Sequence, residues 1–167
     1  VEKALANLKA IGCTTPATLL AHGDEELRRA LVPSGYFNSK ARKLREISRW
    51  YLDVGGLRAL RERELEPLRK ELLGVWGVGP ETADTILCYA AGRRTAVVDA
   101  YTRRILSRHE LVDAEAPCET VRAWLSERLA PSQFVFEEFH ALFVRAGYDN
   151  CKPSARCESC PATPPRT

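Results

Sequence analysis

A short glycine-rich segment, Gly77-Val78-Gly79, separates two stretches with helical periodicity. Two glycines in three residues favour a tight turn, since glycine adopts positive φ without steric strain. Pro80 follows and suits the first position of a helix, where no backbone N–H is needed. Free amides at a helix N-terminus bind anions, so the segment predicts a helix–hairpin–helix that contacts nucleic-acid phosphates. An ordinary interhelical turn is the alternative interpretation.

A second group of chemically reactive residues lies near the end of the chain, at Cys151, Cys157 and Cys160. Five residues separate the first two cysteines, and two residues separate the second and third. In a reducing compartment this spacing indicates metal–thiolate chemistry rather than disulfides. The remaining cysteines fall in helical or turn segments and are interpreted as small buried hydrophobic residues: Cys13, Cys88 and Cys118.

Helices are the elements that must position these residues, because periodicity and capping signals divide the whole chain into short helices. Helix starts are indicated by Thr15-Pro16, Asp24, Asn38-Ser39 and Pro131-Ser132. The predicted helices cover residues 2–10, 16–21, 24–31, 39–52, 56–61, 64–73, 80–91, 99–108, 117–129 and 132–146. No segment alternates as a strand does, so the expected fold class is all-α.

The composition is that of a packed domain, since 167 residues that are 45% hydrophobic can bury a sizeable core. The net charge is only +3, but basic residues crowd two regions: Lys40, Arg42, Lys43, Arg45 and Arg49, and then Arg93, Arg94, Arg103, Arg104 and Arg108. Such clusters fit phosphate contacts, although a solvated helical face is the alternative. No long apolar run or secretory leader is visible, so we expect a cytoplasmic protein without membrane contact. A monomeric state and association with the nucleoid are further expectations.

Two motifs carry a resemblance to a known family. The segment G-V-G-P-E-T-A-D-T-I-L-C-Y-A-A-G-R-R-T-A-V-V-D-A-Y-T-R-R-I-L, residues 77–106, resembles the signature of the helix–hairpin–helix DNA glycosylases related to endonuclease III. Upstream, P-S-G-Y-F-N-S-K-A-R-K-L, residues 33–44, resembles the turn and helix that precede it. The resemblance covers nearly the whole chain and implies a base-excision repair enzyme acting on double-stranded DNA with a damaged base. Its expected DNA-binding residues are Gly77, Val78, Gly79 and Thr82.

Asp99 corresponds to the catalytic aspartate of that family, which follows the hairpin at the same interval. Breaking an N-glycosidic bond builds positive charge on the sugar. A fixed carboxylate stabilises that charge and can activate the attacking water. The alternative is that Asp99 only caps the helix that begins at Ala100, and both roles can hold together.

Glu81 occupies the position where endonuclease III has a lysine that forms a Schiff base with the sugar. A glutamate cannot form a Schiff base, so the resemblance implies a monofunctional glycosylase without lyase activity. The surrounding G-P-E-T-A-D-T-I-L-C-Y resembles the 3-methyladenine glycosylases of the group, which implies an alkylated purine as substrate. Tyr101 is the second residue expected to determine the subtype. The alternative for Glu81 is a first-turn acid favoured by the helix dipole.

Several aromatic residues are candidates for the wall of a base pocket or for a wedge in the DNA, with core packing as the alternative for each: Tyr36, Phe37, Trp76, Tyr89 and Tyr101.

The resemblance also implies a [4Fe–4S] cluster, held by four cysteines at the carboxyl end of the chain. Cys151, Cys157 and Cys160 match three of them, but Arg166 stands at the fourth position. A cubane cluster requires four thiolates, so either a fourth ligand comes from elsewhere or the site is defective. Zinc and the absence of a stable metal remain alternatives. The cluster would be structural and would shape a basic loop towards phosphates.

The fold implied by the resemblance is a six-helix barrel with a helix–hairpin–helix, and a second small helical lobe that carries the cluster loop. We expect the barrel over residues 12–115, with the helix–hairpin–helix at 64–92. The second lobe would combine 1–11 with 116–167 and include the cysteine loop at 151–160. Family members usually carry several dozen residues before the present start, so an N-terminal part of the family domain is expected to be missing.

Two other functions remain open at this point. One is a bifunctional endonuclease III that acts on oxidised pyrimidines and cleaves abasic sites. The other is a catalytically inactive module that binds damaged DNA with salt-dependent affinity.

Overall fold

The computed structural model describes residues 2–161, and all of its regular structure is helical. Ten α-helices fill this part of the chain, and none of its residues lies in a strand. The helices are α1 (Glu2–Ala10), α2 (Pro16–Ala21), α3 (Asp24–Leu31), α4 (Phe37–Asp53), α5 (Gly56–Glu62), α6 (Leu65–Gly74), α7 (Pro80–Thr85), α8 (Ala100–Arg108), α9 (Cys118–Arg128) and α10 (Gln133–Asp149). The all-α prediction is confirmed.

Most helix ends lie within one residue of the prediction. The start signal at Asn38-Ser39 is wrong, because α4 already begins at Phe37, and α10 continues three residues beyond its predicted end, to Asp149. The predicted helix 80–91 consists of α7 and a π-helical turn, Ile86–Ala90. π-helical turns widen a helix by one residue and are frequent at functional sites. The π-helical turn carries Tyr89, whose side chain reaches α10.

The chain divides between Gly79 and Pro80 into two compact units. Helices α1–α6 belong to the first unit and α7–α10 to the second. The barrel over residues 12–115 and the second lobe of 1–11 with 116–167 stay a proposal that rests on the resemblance.

The first unit packs α2 and α3 against α4, and α1 against α3. Its buried cluster includes Leu8, Leu19, Leu27, Leu31 and Ala41. The short helix α2 begins with a reciprocal capping box in which Thr15 and Thr18 satisfy each other's backbone amides. Burial of these leucines is the main stabilising term, because apolar burial dominates folding.

The second unit packs α10 against α8 and against the π-helical turn. Its core includes Val97, Leu106, Leu125 and Phe136. Gly147 is required by this packing, because a Cβ there would lie 2.4 Å from Cδ1 of Tyr101. The close approach fixes where α8, and therefore its N-terminus, lies along α10.

A buried polar contact ties α7 to the segment that leads to α8. The hydroxyl of Thr95 donates to Oδ1 of Asp84 at 3.2 Å, and both residues are almost completely buried. Because a buried carboxylate requires hydrogen-bond partners, this contact holds the buried segment 95–98 in place. Asp99 follows directly.

In the described part of the chain, no helix combines the length and the apolar character needed to cross a membrane.

Candidate functional site

Asp99 forms the N-cap of α8. Its backbone is extended, and its Oδ1 accepts a hydrogen bond from the backbone N–H of Thr102 at 2.7 Å. Only 7% of the residue is exposed, and the preceding residues 95–98 are buried. The carboxylate is therefore held at the positive end of a helix dipole, in an environment with little water. The capping interpretation of Asp99 is correct, and capping leaves its second oxygen available.

His140 on α10 faces that second oxygen. Its Nε2 lies 3.7 Å from Oδ2 of Asp99, and the two side chains are 13% and 8% exposed. On the other side of the ring, Nδ1 lies 2.8 Å from the hydroxyl oxygen of Tyr89. That hydroxyl also lies within hydrogen-bond distance, 2.9 Å, of the carbonyl oxygen of Glu137. The carboxylate, the imidazole and the phenol therefore form a continuous polar chain.

Sequence reasoning missed His140. The one signal was its spacing, because Phe136, His140, Phe143 and Gly147 repeat at the four- and three-residue intervals of a helix face. A histidine on an apolar face needs a polar partner, but the sequence does not identify that partner as Asp99.

The electrostatics of the site keep Asp99 charged. Burial by itself would raise the pKa of Asp99, but its interactions with His140 and Thr102 outweigh burial and lower the pKa below the ordinary value of 3.8. Burial raises the pKa of the neighbouring Tyr89 hydroxyl, and it raises the pKa of the Cys88 thiol to about 12. At neutral pH the site therefore combines one carboxylate with a neutral phenol and a neutral thiol.

The hairpin that precedes α7 is a closed turn. The backbone N–H of Val78 donates to the carbonyl of Val75 at 3.0 Å, and Gly77 has a φ of +82°. Val78 is buried, whereas Gly77 and Gly79 are exposed. Val78 is therefore an anchor in the core of its unit, and the two glycines present their backbone to solvent. Thr82, the fourth predicted DNA-binding residue, is exposed in the first turn of α7.

Basic side chains of α4 pack on this hairpin. The guanidinium of Arg42 lies 3.7 Å from the ring centroid of Trp76, a stacking distance for a cation on an aromatic ring. The aliphatic part of Lys43 covers Gly77 so closely that a Cβ there would lie 2.6 Å from its Cγ. The basic cluster on α4 and the exposed amides of the hairpin therefore belong to one surface of the first unit.

The two residues predicted to determine the subtype lie on α7 and α8. Glu81 is exposed in the first turn of α7, and its carbonyl accepts a hydrogen bond from the Thr85 hydroxyl at 2.7 Å. Tyr101 is half-buried on α8, between Gly147 and the guanidinium of Arg104, whose Cζ lies 5.1 Å from the ring centroid. The role of Tyr101 in determining the subtype stays a prediction of the resemblance.

The three C-terminal cysteines line one cavity of about 160 Å³, together with Arg108 and His109. Arg108 donates to the Cys151 sulfur at 3.3 Å, and Arg104 donates to the Cys151 carbonyl at 2.6 Å. Within residues 2–161, however, no three cysteine, histidine or acidic side chains are grouped as a metal requires. These residues as placed do not fit a cubane cluster, and Arg166 lies outside the described residues. Of the cysteines predicted to be hydrophobic, Cys13 and Cys88 are buried and Cys118 is half-buried.

Comparison with known sequences gives matches along most of the chain. Residues 1–131 match the profile of the HhH-GPD superfamily, described as base excision DNA repair proteins. A protein of Methanocaldococcus jannaschii assigned as a DNA repair glycosylase is 33% identical over 164 residues, which cover 96% of this chain and 74% of that protein. Endonuclease III of Escherichia coli K12 is 29% identical over 163 residues, covering 96% of this chain and 72% of the enzyme.

Comparison with solved structures gives the same fold. A trapped covalent complex of endonuclease III with DNA aligns with a TM-score of 0.76 and 25% identity, covering 95% of this chain and 71% of that one. The 3-methyladenine DNA glycosylase of H. pylori aligns with a TM-score of 0.61 and 24% identity, covering 92% of this chain and 66% of that one. With its all-helical fold and a family match over residues 1–131, the chain belongs to the HhH-GPD superfamily of base excision DNA repair proteins.

Proposed function

We propose that this DNA glycosylase hydrolyses the N-glycosidic bond of an alkylated purine in double-stranded DNA, and that it has no lyase activity. The observation that carries the proposal is the buried Asp99 carboxylate at the N-terminus of α8, whose pKa is lowered by its interactions with His140 and Thr102. An anion held in this way can stabilise an oxocarbenium-like transition state without first losing a shell of water.

The bond changes require no group beyond water and a carboxylate. The oxygen of water bonds to C1′ of the sugar as the C1′–N bond breaks, and the electron pair of that bond leaves with the base. Asp99 takes the proton that the water loses. An alkylated purine carries a positive charge that is neutralised when it leaves, so an electrostatic site with one carboxylate is sufficient.

The absence of lyase activity rests on Glu81. Lyase chemistry in this superfamily needs an amine to attack the sugar, and a carboxylate at the exposed position 81 cannot form a Schiff base. The sequence around Glu81, which resembles the 3-methyladenine glycosylases, supports an alkylated purine as substrate.

DNA binding is proposed for the hairpin surface of the first unit. Gly77 and Gly79 expose backbone amides, and Arg42 and Lys43 place positive charge beside them. Thr82, exposed on α7 of the second unit, is proposed separately as a DNA contact. Backbone amides and basic side chains bind phosphates irrespective of sequence, as the search for a damaged base requires.

The test is base release from duplexes that contain 3-methyladenine, thymine glycol or a G·T mismatch, with and without alkali, in parallel with borohydride trapping. Release of 3-methyladenine, with strand breaks only after alkali and no trapped complex, supports the proposal. Trapping by the wild-type chain would show a bifunctional enzyme, and DNA binding without release of any base would show an inactive binding module. Glu81→Lys tests the position directly, since a new trapped complex is expected from an amine at this site.

The iron–sulfur cluster remains a prediction of the resemblance alone, because Cys151, Cys157 and Cys160 as placed are not grouped as a metal requires. Iron and sulfide analysis of anaerobically purified protein tests it, with Cys157→Ser as the variant and Cys118→Ser as the matched control. Loss of iron in the Cys157 variant alone is expected. A wild-type protein free of iron would overturn the proposal.

A further inference from the structure

The polar side chains of Asp99, His140 and Tyr89 all lie within the second unit, and the position of the protons among them can vary. The phenol and imidazole rings meet edge to face, with centroids 5.6 Å apart and planes at 61°. The Tyr89 hydroxyl lies within hydrogen-bond distance of two acceptors, His140 Nδ1 and the Glu137 carbonyl, but it has one proton to donate. The rotation of this hydroxyl therefore decides whether Nδ1 of the imidazole accepts a hydrogen bond or donates one.

Each orientation of the hydroxyl corresponds to a different form of His140. When the hydroxyl donates to Glu137, its oxygen can accept a hydrogen bond from Nδ1–H, and Nε2 of a neutral ring then presents a lone pair towards Asp99. When the hydroxyl donates to Nδ1, the proton of a neutral ring must be on Nε2, facing the carboxylate. The doubly protonated ring is satisfied as well, by the Tyr89 oxygen on one side and Asp99 on the other. In the first of these forms Nε2 has a partner only when Oδ2 of Asp99 carries a proton, whereas in the other two forms an Nε2–H faces the carboxylate.

We propose that His140 is a positioning residue that takes over, at Nε2, the proton that Asp99 removes from the attacking water, while Tyr89 holds the ring in place. The proposal rests on the glycosylase activity proposed above. In the balanced step, the water loses a proton to Oδ2 of Asp99, and the C1′–O bond forms as the C1′–N bond breaks. The proton then moves from Oδ2 to Nε2. The carboxylate is restored, and the imidazolium releases its proton to solvent after turnover.

The distances suit a relay that forms during the reaction. At 3.7 Å, Nε2 and Oδ2 must approach by less than about 1 Å to reach hydrogen-bond distance. Catalytic hydrogen bonds are often longer in the free enzyme and tighten when substrate is bound. Because Asp99 has a lowered pKa, it holds a proton poorly, and a neighbouring base that accepts the proton favours the step.

The other titratable groups near the pair do not replace His140. They are Cys88 and Tyr89 on the π-helical turn and Glu137 and Glu138 on α10. Burial keeps Cys88 and Tyr89 protonated, and a carboxylate oxygen of Glu137 accepts a hydrogen bond from Gln133 at 2.8 Å. His140 differs from these groups in that its Nε2 lies 3.7 Å from Oδ2 of Asp99.

A protonated His140 cannot accept a proton, and its positive charge opposes the positive charge that develops on the sugar. The rate constant for base release should therefore be lower wherever the imidazole carries two protons.

The experiment measures single-turnover base release and DNA dissociation constants from pH 5 to 9. Its proteins are the wild type, His140→Gln, Tyr89→Phe and the control His22→Gln, whose histidine pairs with Glu26 in the first unit. Glutamine does not titrate, so His140→Gln should lose the pH-dependent limb and about 10- to 100-fold of the plateau rate, with unchanged DNA affinity. Tyr89→Phe should keep the limb but move its midpoint, and His22→Gln should match the wild type.

The outcomes separate the two proposals. If the wild type is active and both His140→Gln and Tyr89→Phe keep its pH profile and plateau rate, the relay is wrong and the glycosylase activity stands. If the wild type releases no base at any pH, the proposed function itself fails. If His140→Gln does not fold, as judged by its circular dichroism and thermal transition, Tyr89→Phe provides the test. A shifted midpoint of its rate–pH profile supports the relay, and an unchanged profile contradicts it.

Discussion

The hairpin of the first unit and the Asp99 site of the second are built in different ways. The hairpin is local, because a turn between Val75 and Val78 and a positive φ at Gly77 define it within a few residues. The Asp99 site is assembled from distant segments, since the hydrogen bond between Tyr89 and His140 joins residues 51 positions apart. A local element such as the hairpin can be predicted from sequence. A substitution that strains its backbone should change its structure. The assembled site depends on side-chain contacts and responds to changes of charge.

The largest expected effect is on the assembled site, from Asp99→Asn. The amide removes the negative charge, so base release should fall by about 100- to 10,000-fold. Asparagine is as good an N-cap as aspartate, so the thermal transition should move little. Single-turnover kinetics and thermal melting check both expectations.

Asp99→Ala is the matched control, because it removes both the charge and the cap. It should be as inactive as Asp99→Asn and less stable by about 1 kcal/mol. Equal stability of the two variants would show that the hydrogen bond to Thr102 contributes nothing, and full activity of Asp99→Asn would refute the role of the carboxylate.

The second prediction strains the hairpin. Gly77→Ala places a Cβ at positive φ and against Lys43, so the free energy of unfolding should fall by about 1–2 kcal/mol. The dissociation constant for undamaged duplex DNA should rise, because the turn and the lysine must both shift. Chemical denaturation and fluorescence anisotropy measure these two quantities.

Gly79→Ala is the control within the same turn. Its Cβ would meet no atom within 4 Å, and Gly79 is not among the glycines with positive φ. Stability should therefore stay at the wild-type value. An equal loss of stability in both variants would show that steric strain at Gly77 is not what shapes the hairpin.

A third prediction concerns the charge beside the hairpin. Arg42→Gln removes the guanidinium stacked on Trp76 and should weaken binding to any duplex by less than about tenfold. The slope of log K against log salt should decrease in magnitude by about 0.9, the value for one lost phosphate contact. Arg29→Gln, which changes the same charge on α3 where Arg29 pairs with Glu25, should leave the slope unchanged. Identical slopes for both variants would exclude Arg42 as a phosphate contact.

The smallest expected effect is the dependence of stability on the ionisation of Asp99. Because the pKa of Asp99 is lower in the folded protein, its stabilising contribution is present above about pH 4 and is lost as the pH falls through the folded-state pKa. The difference in unfolding free energy between wild type and Asp99→Asn should therefore shrink between pH 5 and 3. A difference that grows towards acid pH would mean that burial outweighs the stabilising contacts.

The sequence alone determined the elements that depend on neighbouring residues. The helices follow from periodicity and caps, the turn follows from Gly77 and Pro80, and the N-cap follows from the position of Asp99 before α8. Family membership also came from a contiguous motif. These features are accessible because hydrogen bonds and backbone preferences act over four residues or fewer.

Only the tertiary structure decided which side chains meet. The π-helical turn aims Tyr89 at α10, Gly147 admits Tyr101, and His140 comes to face Asp99 across the second unit. The cysteines show the same limit, because Cys151, Cys157 and Cys160 line one cavity but are not grouped as a metal requires within the described residues. Contacts between distant residues depend on how helices pack, and packing is a property of the whole core rather than of any single segment.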